Sequence, residues 1–97
     1  MVMVMVTVVP IGTGSPSVRK WVKEAIKELK KLEGIKLTPQ AMGTVIEGED
    51  LELILRGIAK LHEHLHELGV IRIHTIITID DRTDKVQSAE DKVKGIN

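Results

Sequence analysis

The feature that most constrains the fold is the valine-rich segment at the start of the chain, Met1–Val9. Every residue in it except Thr7 is apolar. Valine is β-branched and favours strands, and an uninterrupted apolar run indicates a strand that is covered on both faces. The segment is too short to cross a bilayer, and Pro-Ile-Gly-Thr-Gly-Ser follows it instead of a signal-peptide cleavage site. We therefore expect a buried strand.

Two later segments repeat apolar residues at helical spacing. The first follows Ser15-Pro16, which suit an N-cap and a first helical position, and Gly34 ends it. The second follows Glu49-Asp50, ends at Gly69 and contains Gly57, which we expect to permit a close contact. The apolar positions are Val18, Val22, Ala25, Leu29 and Leu32 in the first helix and Leu51, Ile54, Leu55, Ile58, Leu61, Leu65 and Leu68 in the second.

Three further strands and a short terminal helix complete the predicted order. The strands are expected at Ile35–Gln40, Gly43–Gly48 and Val70–Ile79, and the helix at Ser88–Val93. Pro39 marks the first of these strands as an edge strand or a bulge. The order is the split βαβ plan. We predict one α+β domain over residues 1–97, a ferredoxin-like βαββαβ sandwich whose antiparallel sheet carries two helices on one face, with a short C-terminal helix.

The sheet is predicted to have a second apolar face, away from the helices. Alternate residues of the first strand, Met3 and Met5, share that face with Ile76 of the last strand and with the polar His74 and Thr78. Such a patch usually marks an interface, so we expect a homodimer or homotetramer through the sheet face. The alternative is a monomer in which Met1 is disordered and the remaining patch is tolerated.

Composition and charge argue against several partners. The chain has 14 basic and 14 acidic side chains, and we find neither a basic excess nor a basic stripe. Trp21 is the only aromatic residue, so the chain offers a single aromatic side chain on which a nucleotide base could stack. We expect neither a nucleic-acid nor a membrane partner. Cysteine is absent, which excludes thiol chemistry and fits a cytoplasmic location.

Two motifs could carry chemistry. His62-Glu63-His64-Leu65-His66 matches the H-E-x-x-H pattern of zinc hydrolases, but neighbouring leucines direct the apolar helix face elsewhere, and we expect these histidines on a solvated face. The loop Gly12–Ser17, between a strand and a helix, could hold an anion or could be a plain loop with a Ser15 cap. We predict no catalytic residues and no metal site.

Several blocks together resemble the YkoF-like thiamine-binding protein family. They are Pro10–Val18, Met42–Glu49, His62-Glu63 and Ile79–Arg82, in the same order. The resemblance implies a ferredoxin-like fold assembled through its sheets into dimers and tetramers. It implies that the protein binds thiamine or hydroxymethylpyrimidine, without established catalysis and without a required cofactor.

The resemblance also suggests ligand-binding residues. Carried over by motif, Thr13 and Ser15 belong to the first loop, and Met42, Gly43, Thr44 and Glu47 to the second block. In a ferredoxin-like order the first loop and Thr44 should approach each other at one edge of the sheet. We expect His74 or Thr78 of a partner subunit to close the cleft. The alternatives are a regulatory or structural oligomer that binds another small anion and, less favoured, a zinc hydrolase.

Overall fold

The computed structural model describes residues 1–14 and 18–96. Its elements are β1 (Val2–Ile11), α1 (Arg19–Leu29), β2 (Lys36–Gln40), β3 (Gly43–Gly48), α2 (Leu51–Glu67), β4 (Arg72–Asp81) and α3 (Ala89–Val93). The strands form one antiparallel sheet in the order β2-β3-β1-β4. The predicted α+β, ferredoxin-like βαββαβ plan with a short terminal helix is confirmed.

The core lies between the sheet and the two long helices. Alternate valines of β1 point toward it, and each of them contributes β-branched surface that packs against helix side chains. The core residues are Val2, Val4, Val6 and Ile46 from the sheet, Ala25 and Leu29 from α1, Ile54, Ile58, Leu61 and Leu65 from α2, and Val70. Part of each apolar stripe predicted for α1 and α2 therefore joins the core, whereas Val22, Leu55 and Leu68 are exposed and Leu32 lies beyond the end of α1. This layer stabilises the domain mainly by burying apolar surface.

Strand β1 continues beyond its predicted end through Pro10 to Ile11. Only β4 pairs with β1 beyond Val6, because the pairing with β3 stops at Thr44. This part of β1 is thus an edge on its β3 side, where a proline is tolerated. The long pairing also keeps β4 extended, so that Asp80 and Asp81 belong to the strand, beyond its predicted end at Ile79.

Helix α1 is shorter than predicted at both ends. It begins at Arg19 with Val18 at the N-cap, which makes no side-chain capping bond, and it ends at Leu29. The predicted N-cap and first helical position, Ser15-Pro16, lie outside the described residues. Helix α2 begins as expected, because the Asp50 side chain accepts a hydrogen bond from the Leu53 backbone N–H at 3.2 Å.

The face of the sheet away from the helices, hereafter the open face, has the composition that alternation predicted. Met3 pairs with Asp80, Met5 with Thr78 and Thr7 with Ile76. Met3 and Met5 are half-buried, whereas Ile76 is 56% exposed and Val9 and Ile11 are also exposed. Among the described residues, no helix is long and apolar enough to cross a membrane.

Candidate functional site

A cavity of about 310 Å³ lies between the start of α1 and the turn that joins β2 to β3. Its walls are mostly aliphatic and come from α1, from the second half of β1 and from Leu61 of α2. The polar residues that line it are Thr7, Gln40 and Thr44, and of these only Thr44 has its side chain on the helix side of the sheet by the strand register. This volume is near the lower end for small-molecule pockets, and an apolar wall with few polar groups is typical of such sites.

Thr44 supplies the most enclosed polar group of the cavity. It is only 8% exposed and lies opposite Val6 on the helix side of the sheet. Within the described residues its hydroxyl has no hydrogen-bond partner, and the oxygen is not fully sealed from solvent. The Thr7 hydroxyl, in contrast, donates to the Met42 carbonyl at 3.0 Å. A ligand in the cavity would therefore find the Thr44 hydroxyl free to donate or accept.

Gly43 allows the turn and β1 to approach closely. A Cβ atom at Gly43 would lie 2.8 Å from Thr7 Oγ1, 2.9 Å from Met5 Sδ and 3.1 Å from the Val6 carbonyl oxygen. A side chain at this position would push β3 away from β1 and change the wall of the cavity. Met42 lies at the rim and is 86% exposed. Met42, Gly43 and Thr44 thus line one cavity, as their shared block suggested.

None of the described loop residues Gly12, Thr13 and Gly14 lines the cavity, so the predicted approach to Thr44 stays a prediction for that loop. Val9 and Val18, which lie on either side of it along the chain, both line the cavity with Thr44. Thr13 does not line the cavity. Ser15 lies outside the described residues. The roles suggested for Thr13 and Ser15 therefore stay predictions.

Glu47, His74 and Thr78 lie on the open face and not at the cavity. Glu47 pairs with Met3 and Lys36, and its side chain is almost completely buried, with 4% of the residue exposed. Thr44 and Glu47 are three residues apart in a strand, so their side chains point to opposite faces. A single chain therefore cannot bring all the predicted site residues to one pocket.

The three histidines of α2 are engaged separately. His62 Nε2 is 2.7 Å from Thr75 Oγ1, and His66 Nδ1 is 2.7 Å from the Val70 carbonyl oxygen. His64 reaches α1, with Nε2 3.0 Å from Glu24 Oε2 and Nδ1 3.3 Å from a Glu28 carboxylate oxygen. The hydrogen bond from His64 is the largest cause that lowers the pKa of Glu24.

These contacts correct the expectation of a solvated histidine face. His62 and His64 are half-buried, because α2 turns them toward β4 and α1 respectively, and only His66 is exposed. Within the described residues, no group of three or more potential metal ligands is close enough to hold an ion. The histidines instead connect α2 to its neighbours.

The environment of His62 predicts a pH-dependent stability. Burial lowers the pKa of His62 below its usual 6.5, and His66 adds electrostatic repulsion. As the pH falls, the unfolded chain therefore takes up a proton at this histidine before the folded chain does. The contribution of neutral His62 to the free energy of unfolding is complete above about pH 6.5 and declines as the pH falls below it. We expect His62→Gln, followed by urea unfolding between pH 8 and pH 5, to show a smaller loss of stability on acidification than wild type. His74→Gln on the open face is the control, and an unchanged pH slope in His62→Gln would contradict the expectation.

Thr7 and the aliphatic walls from Val22, Ile26 and Leu61 were not identified from the sequence as part of the site. The walls carry no chemical signal that separates them from ordinary core residues. Thr7 did carry a signal, because it is the one polar residue in the valine-rich first strand. A hydroxyl at that position needs a partner, and it finds the Met42 carbonyl at the turn.

The fold and the cavity together define a class of small ferredoxin-like domains that bind small molecules. The family described as "Thiamine-binding protein" matches residues 4–97. The chain belongs to this family, as its motifs suggested, and the family supports a small-molecule binding role.

Relatives from distant organisms span nearly the whole chain. UPF0045 protein ECM15 of Eremothecium gossypii is 44% identical over 91 residues, which cover 94% of this chain and 85% of that protein. UPF0045 protein YqgV of Bacillus subtilis is 41% identical over 95 residues, covering 95% of this chain and 90% of the relative.

Solved structures have the same fold. Hypothetical protein MJ1052 of Methanocaldococcus jannaschii superposes with a TM-score of 0.85 at 40% identity, covering 98% of this chain and 94% of that one. A Thermotoga maritima protein, provisionally assigned to thiamine biosynthesis or salvage, superposes with a TM-score of 0.81 at 24% identity, covering 99% and 98%. At that identity the Thermotoga protein supports the fold alone.

Proposed function

We propose that this protein is a non-catalytic binding protein for thiamine or its hydroxymethylpyrimidine moiety, and that it needs no cofactor. The observation that carries the proposal is the free Thr44 hydroxyl inside an otherwise mostly aliphatic cavity. An aminopyrimidine ring has two apolar faces and a polar edge of ring nitrogens and an amino group. The faces suit the aliphatic walls, and the edge suits the Thr44 hydroxyl.

Replacing Thr44 by valine tests this proposal. Valine keeps the branched shape and removes the hydroxyl, so a hydrogen bond to the ligand should be lost with little change in packing. We expect the affinity for hydroxymethylpyrimidine to fall by about 0.5–1.5 kcal/mol, or roughly 2- to 13-fold. Isothermal titration calorimetry with hydroxymethylpyrimidine and thiamine measures the change directly.

Thr38→Val is the matched control for this experiment. Thr38 lies on the neighbouring strand β2 and pairs with Val45 on the open face, so its hydroxyl is not in the cavity. Its replacement should leave the affinity unchanged. Equal affinities of wild type and Thr44→Val for both ligands would remove Thr44 from the site. Absence of binding to wild type would overturn the thiamine proposal itself.

We further propose that copies of this chain associate through the open face into a homodimer or homotetramer, in the cytoplasm. This proposal is supported by the apolar residues of the open face, the exposed Ile76, Val9 and Ile11 and the half-buried Met3 and Met5, on a domain small enough to gain from association. His74 and Thr78 lie on that face and not at their own cavity. Any contribution of these two residues to a ligand site would therefore come across a subunit contact.

A further inference from the structure

Helix α1 carries a row of cations beside the cavity. Arg19, Lys23, Lys27 and Lys30 recur at spacings that place them on one side of the helix, and we call this row the basic flank. No basic stripe was predicted from the sequence, and that prediction was wrong for α1. The balance of 14 basic and 14 acidic residues over the whole chain hides the local excess on α1.

Most of the basic flank is not neutralised. Lys27 Nζ is 3.3 Å from Glu24 Oε1, but Arg19, Lys23 and Lys30 make no ion pair within the described residues. Glu24 lies in the same groove, where it pairs with Lys27 and also contacts His64. Glu28 pairs with Lys31 and His64. Within the part of the chain that the structure describes, Arg19, Lys23 and Lys30 are thus exposed cations without an ion pair, and the groove keeps an excess of positive charge over its one carboxylate, Glu24.

The basic flank adjoins the cavity through one residue. Ile26 is part of the cavity wall and also of the groove that runs along the basic flank. Lys23 precedes Ile26 by three residues and Lys30 follows it by four, so both lie next to Ile26 on the helix surface. A ligand whose ring fills the cavity could therefore extend a substituent past Ile26 toward these cations.

We propose that the preferred ligand is a phosphate ester, hydroxymethylpyrimidine phosphate or thiamine phosphate, with its ring in the cavity and its phosphate on the basic flank. This inference rests on the proposed function and deepens it. Free thiamine carries a positively charged thiazolium ring, which unpaired cations would repel. A phosphate reverses the sign of that interaction, and the lysine and guanidinium groups can donate charge-assisted hydrogen bonds to its oxygens.

The test compares phosphorylated with unphosphorylated ligands by calorimetry in low salt. Each cation at about 7 Å in a water-like dielectric contributes roughly a threefold change in affinity, so three of them predict a preference of about 10- to 30-fold for hydroxymethylpyrimidine phosphate over hydroxymethylpyrimidine. Raising the salt to about 0.5 M should reduce this preference because exposed charges are screened. Inorganic phosphate should bind much more weakly than the ester, since it fills only the basic flank.

Paired variants locate the effect. Lys23→Gln combined with Lys30→Gln should lower the phosphate preference to about threefold, while binding of unphosphorylated hydroxymethylpyrimidine stays unchanged. The control is Lys60→Gln combined with Lys85→Gln, which removes the same charge from exposed positions outside α1. If this control lowered the preference equally, the placement of the ligand's phosphate on the basic flank would be wrong.

The outcomes separate this inference from the proposed function. Equal binding of the phosphorylated and unphosphorylated ligands by wild type would overturn the phosphate preference and leave the proposed function intact. Inorganic phosphate binding as tightly as the ester would also overturn it, because the cavity would then add nothing. Failure of all ring ligands to bind would overturn both. A preference that Lys23→Gln with Lys30→Gln abolishes and the control retains would support the inference.

Discussion

Replacing Met5 and Ile76 together by lysine is expected to abolish self-association and to yield monomers or unfolded chains. Both residues lie on the open face, Met5 opposite Thr78 and Ile76 opposite Thr7. A contact of ordinary size buries about 800 Å² on each partner, and apolar surface contributes roughly 25 cal/mol per Å². Lysines at its centre would lose that apolar contact and would bury ammonium groups without counter-charges, each at a cost of several kcal/mol.

Light scattering coupled to size-exclusion chromatography measures this change at micromolar concentration, and circular dichroism separates a folded monomer from an unfolded chain. The control is Leu68→Lys with Val86→Lys, because these apolar residues are 44% and 76% exposed and lie outside the sheet. The control should keep the assembly of wild type. A wild-type protein that is monomeric at micromolar concentration would show that the apolar open face does not mediate association.

The fold was largely predictable because two periodicities dominate this sequence. Alternation placed Met3, Met5 and Ile76 on one face, and the strand register confirms that placement. Helical spacing identified the stripe of α2, and four of its members, Ile54, Ile58, Leu61 and Leu65, are buried in the core. These signals are strong because apolar residues recur at each position that the periodicity places in the core.

Element ends were less predictable, because tertiary pairing decides them. The polar residues Asp80 and Asp81 resemble a turn in sequence, yet pairing with Val2 and Met3 keeps them in β4. Similarly, Ser15-Pro16 has the chemistry of a helix start, but α1 begins at Arg19. The intrinsic preference of a residue for one secondary structure over another is only about 1 kcal/mol in such cases. Pairing along a long strand can outweigh that preference.

The site was predictable only in part, for a geometrical reason. The block Met42–Thr44 was placed correctly at one cavity, because consecutive residues of a turn remain together. Glu47 belongs to the same sequence block but lies on the other face, since strand geometry separates it from Thr44. The aliphatic walls and the basic flank depend on which side of α1 faces the turn, and sequence spacing alone does not give that orientation.

Gly57 provides the second large effect, since we expect Gly57→Ala to destabilise the protein although alanine is the better helix former. The predicted close contact at this glycine is confirmed, because an added Cβ would lie 2.5 Å from Leu32 Cδ1, 3.0 Å from Cδ2 and 3.1 Å from Cγ. All three atoms at the branched end of Leu32 are involved, so a rotation would only exchange one methyl group for the other. Overpacking typically costs about 1–3 kcal/mol.

A double-mutant cycle with Leu32→Ala isolates this contact. Removing the Leu32 side chain removes the clash, so in that background Gly57→Ala should stabilise the protein by about 1 kcal/mol through helix propensity alone. In wild type the same substitution should lower the free energy of unfolding by about 1–2 kcal/mol. The sign thus reverses between the two backgrounds, with a coupling of about 2–3 kcal/mol. Urea unfolding of the four proteins measures it. Stabilisation by Gly57→Ala in both backgrounds would mean that Leu32 can move aside at little cost, and that the contact of α2 with the segment after α1 does not require a glycine.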